Sequence, residues 1–134
     1  MTPEAFSELF ARIRAEMHKA IIGQDELVFG LLVSTIARGH VLVEGAPGLG
    51  KTLVARALSV VSGLAFKRIQ FTPDLMPSDI TGSSIFDRQS GAFSFVPGPI
   101  FTELLLADEI KLLGFGQLSG AMRGDCVFEE VGHV

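Results

Sequence analysis

Tryptophan and tyrosine are absent from this chain of 134 residues, so 11 phenylalanines supply all of its aromatic packing. A single cysteine, Cys126, excludes an internal disulfide and fits a reducing compartment. Its ordinary role is that of a small packed side chain. Basic residues are too few for a general polyanion binder, since 11 Lys and Arg face 15 Asp and Glu for a net charge of −4. Long uncharged runs are missing too. The longest, Gln89 to Thr102, is interrupted by Pro97 and Pro99, whereas a spanning helix needs about 20 mainly apolar residues. Met1-Thr2-Pro3-Glu4 has neither a basic flank nor an apolar signal core. A cytoplasmic protein with no membrane span and no nucleic-acid partner is therefore expected. His18, His40 and His133 lie far apart and show no metal-ligand spacing.

What is present is 48% hydrophobic, with a mean hydropathy of +0.44, enough for one domain around one core. Thr2-Pro3-Glu4 predicts a helix start, with a capping hydroxyl, Pro at the first helical position and then an acid. Phe6, Leu9, Phe10, Ile13 and Met17 follow as one apolar stripe. Ile21-Ile22-Gly23 ends that helix, and Gln24 to Arg38 forms a second, with Gly39 suited to its C′ position. Val41 to Val43 is a core strand, Thr52 to Ser62 a helix closed by Gly63, and Phe66 to Phe71 a second strand. Thr72 to Gly82, rich in Pro, Asp, Ser and Thr, reads as a loop. Ile85-Phe86-Asp87 and Phe93-Ser94-Phe95 flank a glycine-containing turn and predict a hairpin. Leu112 to Arg123 carries too many glycines for a stable helix, and Val127-Phe128-Glu129 reads as a short strand.

The chemistry concentrates at Gly45-Ala46-Pro47-Gly48-Leu49-Gly50-Lys51-Thr52, which satisfies G-x-x-x-x-G-K-[ST]. An apolar strand precedes it and a helix-forming run from Leu53 follows, the context a phosphate-binding loop needs. The glycines let backbone N–H groups surround an anion, and the helix N-terminus adds partial positive charge. Lys51 would reach the β and γ phosphates, and the Thr52 hydroxyl would ligate Mg²⁺. The bland alternative is a glycine turn that holds no ligand. Leu104-Leu105-Leu106-Ala107-Asp108-Glu109 is a continuous apolar run ending in two acids. Such a run predicts a strand buried on both faces, whose C-terminal end opens at the ligand crevice of an α/β sheet. Asp108 would hold Mg²⁺ through its water shell, and Glu109 would act as general base on the attacking water. Alone, this pair is more often a strand ending in a solvated turn.

Ile21-Ile22-Gly23-Gln24, Gly45 to Thr52 and Leu104 to Glu109 together resemble an AAA+ ATPase, the last as its Walker B element. Phe71-Thr72-Pro73-Asp74-Leu75-Met76-Pro77-Ser78-Asp79 followed by Gly82, and Phe95-Val96-Pro97-Gly98-Pro99-Ile100-Phe101, are similar to stretches of the MoxR branch. The resemblance implies an α/β P-loop NTPase with a parallel sheet flanked by helices. It places a partial AAA+ core over 1–110, with N-terminal helices over 1–39, the P-loop unit over 40–62 and a hairpin insertion over 84–96. It implies ATP and Mg²⁺ as ligands, hydrolysis of ATP, a chaperone-like role in assembly or remodelling of client proteins, a homo-oligomeric ring and a von Willebrand factor A-domain partner. Residues 45–53 (Gly45 to Leu53) would cradle the nucleotide, with Ile22 and Gly23 bordering the adenine or simply packing at a helix end. Asp74 and Asp79 would face a neighbouring subunit or the pore, or cap turns. Phe93 and Phe95 would meet a partner or pack on the parent domain.

The resemblance stops after Ile110, and Lys111 to Val134 matches nothing in the family pattern. A frameshifted or disordered tail is the expectation, with the chain truncated after the Walker B strand. The sensor, arginine finger and lid would then be absent, making a nucleotide-binding module without turnover the alternative function. Val41 to Val43 would lose its neighbours on both sides, and either the strand near Val127 fills one gap or the unpaired edges invite association and leave a marginally stable chain.

Overall fold

The computed structural model describes residues 2–44 and 50–109, and the backbone of 126–131. Helix α1 (Pro3–His18) opens as its sequence dictates: the Thr2 hydroxyl accepts the Ala5 N–H at 3.3 Å and Pro3 takes the first helical position. Of the predicted stripe, Met17 is completely buried, while Phe6 and Leu9 stay exposed. Helix α2 (Asp25–Ile36) ends one residue earlier than glycine placement suggests. Arg38, not Gly39, takes the left-handed C′ position, with φ 51°. Gly39 follows it and donates to the Ser34 carbonyl at 2.8 Å, closing a Schellman turn.

Strand β1 (Val41–Glu44), helix α3 (Lys51–Ser62) and strand β2 (Phe66–Gln70) come next, with Gly63 at φ 71° closing α3. The stretch expected to be all loop holds one helical turn, α4 (Pro77–Thr81). Its cause is local: Pro77 presets the first helical position and the Asp79 carboxylate accepts the Met76 N–H at 2.9 Å. Strands β3 (Gly82–Asp87) and β4 (Ala92–Pro97) form the predicted antiparallel hairpin. Strands β5 (Leu104–Asp108) and β6 (Cys126–Val131) complete the set.

The main sheet is parallel, in the order β1-β6-β5-β2. Strand β5 is buried along its whole length, and each of its leucines contributes about 2 kcal/mol by leaving water. Its alternate residues serve two layers. Leu104 and Leu106 pack with Met17, Leu31, Val54 and Leu58 of the helices, while Leu105 and Ala107 pack with Ile69, Phe71, Leu75, Ile80 and Ile100.

Of the two expectations for β1, the structure shows the one in which the strand near Val127 fills a gap, and the reading with both sides unpaired is corrected. β6 lies between β1 and β5 and pairs in parallel with each. The run Cys126-Val127-Phe128 is strand-forming, and the gap offers it two rows of backbone donors and acceptors. Leu112 to Arg123, expected to be non-helical, lies outside the described residues.

The hairpin joins the body through two glycines that touch back to back. A Cβ on Gly82, whose φ is 92°, would run into the Val96 carbonyl and the Gly98 amide. One on Gly98 would meet the Ile80 carbonyl. Gly82→Ala should therefore lower stability by about 1–3 kcal/mol, read as a reduced denaturant midpoint, whereas Gly91→Ala at the open turn should cost less.

Candidate functional site

Register across the sheet sets the site. Val43 of β1 is level with Glu130 of β6, Glu130 with Asp108 of β5, and Asp108 with Gln70 of β2. The buried acid is thus level with the end of the strand that leads to Gly45. Side alternates along β5, so Asp108 shares the face of Leu104 and Leu106, which α3 covers. The N-terminus of α3 and the Asp108 carboxylate therefore lie on one face of the sheet, at its C-terminal edge.

Lys51 opens α3 and is only 6% exposed. Gly50 before it has φ 71°, a turn that suits glycine. Thr52 is half-buried and Leu53 is exposed. Gly45, Ala46, Pro47, Gly48 and Leu49 lie outside the described residues. A cavity of about 530 Å³ is lined by Gly23, Gln24, Glu26, Val43, Glu44 and Lys51, among others. This brings Gly23, at the α1–α2 corner, to the same hollow as Lys51. Ile22 is 91% exposed and is not in that lining. Asp25, also at the rim, is held by Arg14 at 3.3 Å and lies 2.9 Å from His18 Nε2.

Asp108 is 2% exposed. Its Oδ2 accepts from Arg68 Nε and Nη2. Its Oδ1 is buried with no hydrogen-bond partner among the described residues. A buried carboxylate oxygen left open in this way fits a hydrated cation. The ion would be Mg²⁺, which usually takes one or two protein ligands and completes its shell with phosphate and water. Glu109 is exposed and has φ 58°, a left-handed backbone that is unfavourable for a side chain with a Cβ. It turns the chain away from the strand immediately after the buried acid.

The loop acids behave as caps. Asp79 caps α4, and hydrogen bonding from the Thr72 side chain, then its own backbone amide, lowers the Asp74 carboxyl below its ordinary value. Phe93 and Phe95 stay exposed on the hairpin, where Phe93 packs on Phe86 and Phe95 on Phe101. Arg68 was not singled out by sequence. Its only signal was a guanidinium within a predicted strand.

These features define a P-loop type of α/β nucleotide-binding unit, and comparison with known proteins gives the family. The model of the ATPase family associated with various cellular activities (AAA) matches residues 40–114. The uncharacterised protein YeaC of Bacillus subtilis is 43% identical over 108 residues, covering 81% of this chain and 34% of YeaC. The chaperone MoxR1 of Mycobacterium tuberculosis is 47% identical over 96 residues, covering 72% of this chain and 26% of MoxR1. A crystal structure of a candidate ATPase from Cytophaga hutchinsonii superposes with a TM-score of 0.74 at 31% identity, covering 98% of this chain and 47% of that one. The chain belongs to the AAA ATPase family, in its MoxR-type branch. It spans about a third or less of the length of the curated relatives it matches. No helix among the described residues is long and apolar enough to cross a membrane.

The left-handed turn at Glu109 is kept at a cost in stability. Glu109→Gly should raise stability by up to about 1 kcal/mol, measured by denaturant unfolding. An unchanged or lower midpoint would show that the turn is not strained.

Proposed function

We propose that this chain binds Mg²⁺-ATP at the crevice between the N-terminus of α3 and the end of β5. The observation that carries the proposal is the convergence on one sheet face of buried Lys51 and buried Asp108, whose Oδ1 has no partner among the described residues. The backbone amides of residues 45–50 would cradle the phosphates, with Lys51 placing its ammonium on the β and γ groups. Gly23, with Ile22 beside it, would border the adenine, next to the cavity that also reaches Lys51. Leu53 would continue the nucleotide contact along the first turn of α3.

Thr52 and Asp108 would hold Mg²⁺, which supplies charge neutralisation at the phosphates. Glu109 would accept a proton from, or orient, the attacking water. Membership of the AAA family supports ATP hydrolysis, assembly as a homo-oligomeric ring and a cytoplasmic, chaperone-like role on client proteins for the whole protein. A von Willebrand factor A-domain partner follows from the MoxR-type resemblance. A second reading for the chain itself is nucleotide binding without turnover.

Fluorescent ATP-analogue titration of wild type against Lys51→Ala tests binding. At least a tenfold loss of affinity is expected, since one charge-assisted contact to phosphate contributes about 1.5–3 kcal/mol; equal affinities would refute the site. Phosphate release from Glu109→Gln should fall by a factor of roughly 10²–10⁴ if the chain turns over. Equal background rates would leave only the second reading.

A further inference from the structure

Arg68 lies on the same sheet face as Asp108. Phe66, two residues before it on β2, packs into the helical layer with Leu104 and Leu106, and alternation carries Arg68 to that side. It is level with Leu106 in the register, so its side chain runs diagonally along the sheet to reach Asp108. Both Nε and Nη2 donate to Oδ2, and neither reaches Oδ1.

The two partners sit in different environments. The Asp108 side chain is 3% exposed, the Arg68 side chain 50%. A carboxylate buried that deeply requires a countercharge. Here the countercharge is carried on a long stem that already reaches water, so it can leave at little cost in solvation.

We propose that Arg68 is a stand-in cation: it holds Asp108 in the metal-free protein and yields the carboxylate when Mg²⁺ arrives with the nucleotide. It is a positioning residue that sets how much Mg²⁺ the site requires, and its role rests on the nucleotide site proposed above. Two cations sharing one carboxylate repel each other strongly where solvent screening is weak. Once the metal neutralises Asp108, nothing else among the described contacts retains the guanidinium. The open Oδ1 gives the metal a first point of attachment before Arg68 departs.

The test is a Mg²⁺ titration of fluorescent-ADP-analogue binding to the full chain as wild type, Arg68→Gln and Arg68→Lys, with melting of each in EDTA. Arg68→Gln should lower the Mg²⁺ concentration at half-maximal binding by about 3- to 10-fold, as expected on losing one nearby cation. Arg68→Lys, with a compact ammonium in place of the fork, should shift it less. In EDTA, Arg68→Gln should melt below the double variant Arg68→Gln/Asp108→Asn, because the lone buried carboxylate is what destabilises it. A midpoint that is unchanged or moves to higher Mg²⁺ in both single variants overturns the proposal, since Arg68 then holds Asp108 ready rather than competing. A wild-type chain that binds no nucleotide at any Mg²⁺ concentration overturns the nucleotide site, and this inference with it. A Mg²⁺ midpoint that fails to move in a protein that does bind leaves that site intact.

Discussion

A carboxylate at the end of a strand buried on both faces must find its countercharge where it stands. Asp108 ends Leu104-Leu105-Leu106-Ala107, four residues with almost no exposure, and the strand cannot slide to expose it. A one-residue slip would exchange the two layers that Leu104 and Leu105 serve. The acid is therefore held in place by the same packing that stabilises the core. At this edge Arg68 from β2 supplies the charge, and Lys51 at the start of α3 lies on the same face.

The second half of the described chain is built around this edge without covering it. Phe71, Leu75, Ile80 and Ile100 close the face of the sheet opposite the helices. The Phe71 N–H donates to the Asp108 carbonyl at 2.9 Å, extending the ladder to the site itself. From there α4 turns the chain outward. The contact of Gly82 with Gly98 pinches the base of the hairpin, so β3 and β4 project as a separate two-stranded sheet. That sheet keeps Phe86, Phe93 and Phe95 at the surface because it pairs with no strand of the main sheet and no second layer lies over it among the described residues. A single hairpin is marginal alone, and the Phe86–Phe93 and Phe95–Phe101 ring contacts are what it has in place of a core.

Local signals in the sequence were read correctly where one residue decides the conformation. Thr2 and Pro3 set the start of α1, Gly63 the end of α3, and the apolar run before Asp108 the buried strand. They misled where two residues compete for one position. Gly39 looked like the helix terminator, yet Arg38 takes the left-handed turn because the Schellman bond from Gly39 to Ser34 requires the preceding residue to bend. The one-turn helix α4 was hidden because Pro, Ser, Asp and Thr mark loops and N-terminal turns alike. The placement of Lys51 at the start of α3 and of Asp108 at the end of β5 was legible from motif and strand pattern. Arg68 was not, because its partner lies 40 positions away and only the parallel register of β2 with β5 brings them together.

The slot filled by β6 determines more than edge protection. Neighbouring strands lie about 4.8 Å apart, so one intervening strand puts the ends of β1 and β5 roughly 10 Å from each other. Direct pairing of β1 with β5 would halve that separation and bring the end of β1 against the acid. That separation is what the proposed Mg²⁺-nucleotide site would require between the end of β1 and the carboxylate. The pairing of Val43 and Asp108 with the same residue of β6 then fixes the two at one height. Whatever sequence occupies this slot must be a strand, parallel and in this register, because backbone hydrogen bonds rather than particular side chains set both the width and the level. Cys126–Val131 meets those requirements from a stretch with no family signature, which is how a segment unrecognisable by motif can still set the spacing and level of β1 and β5.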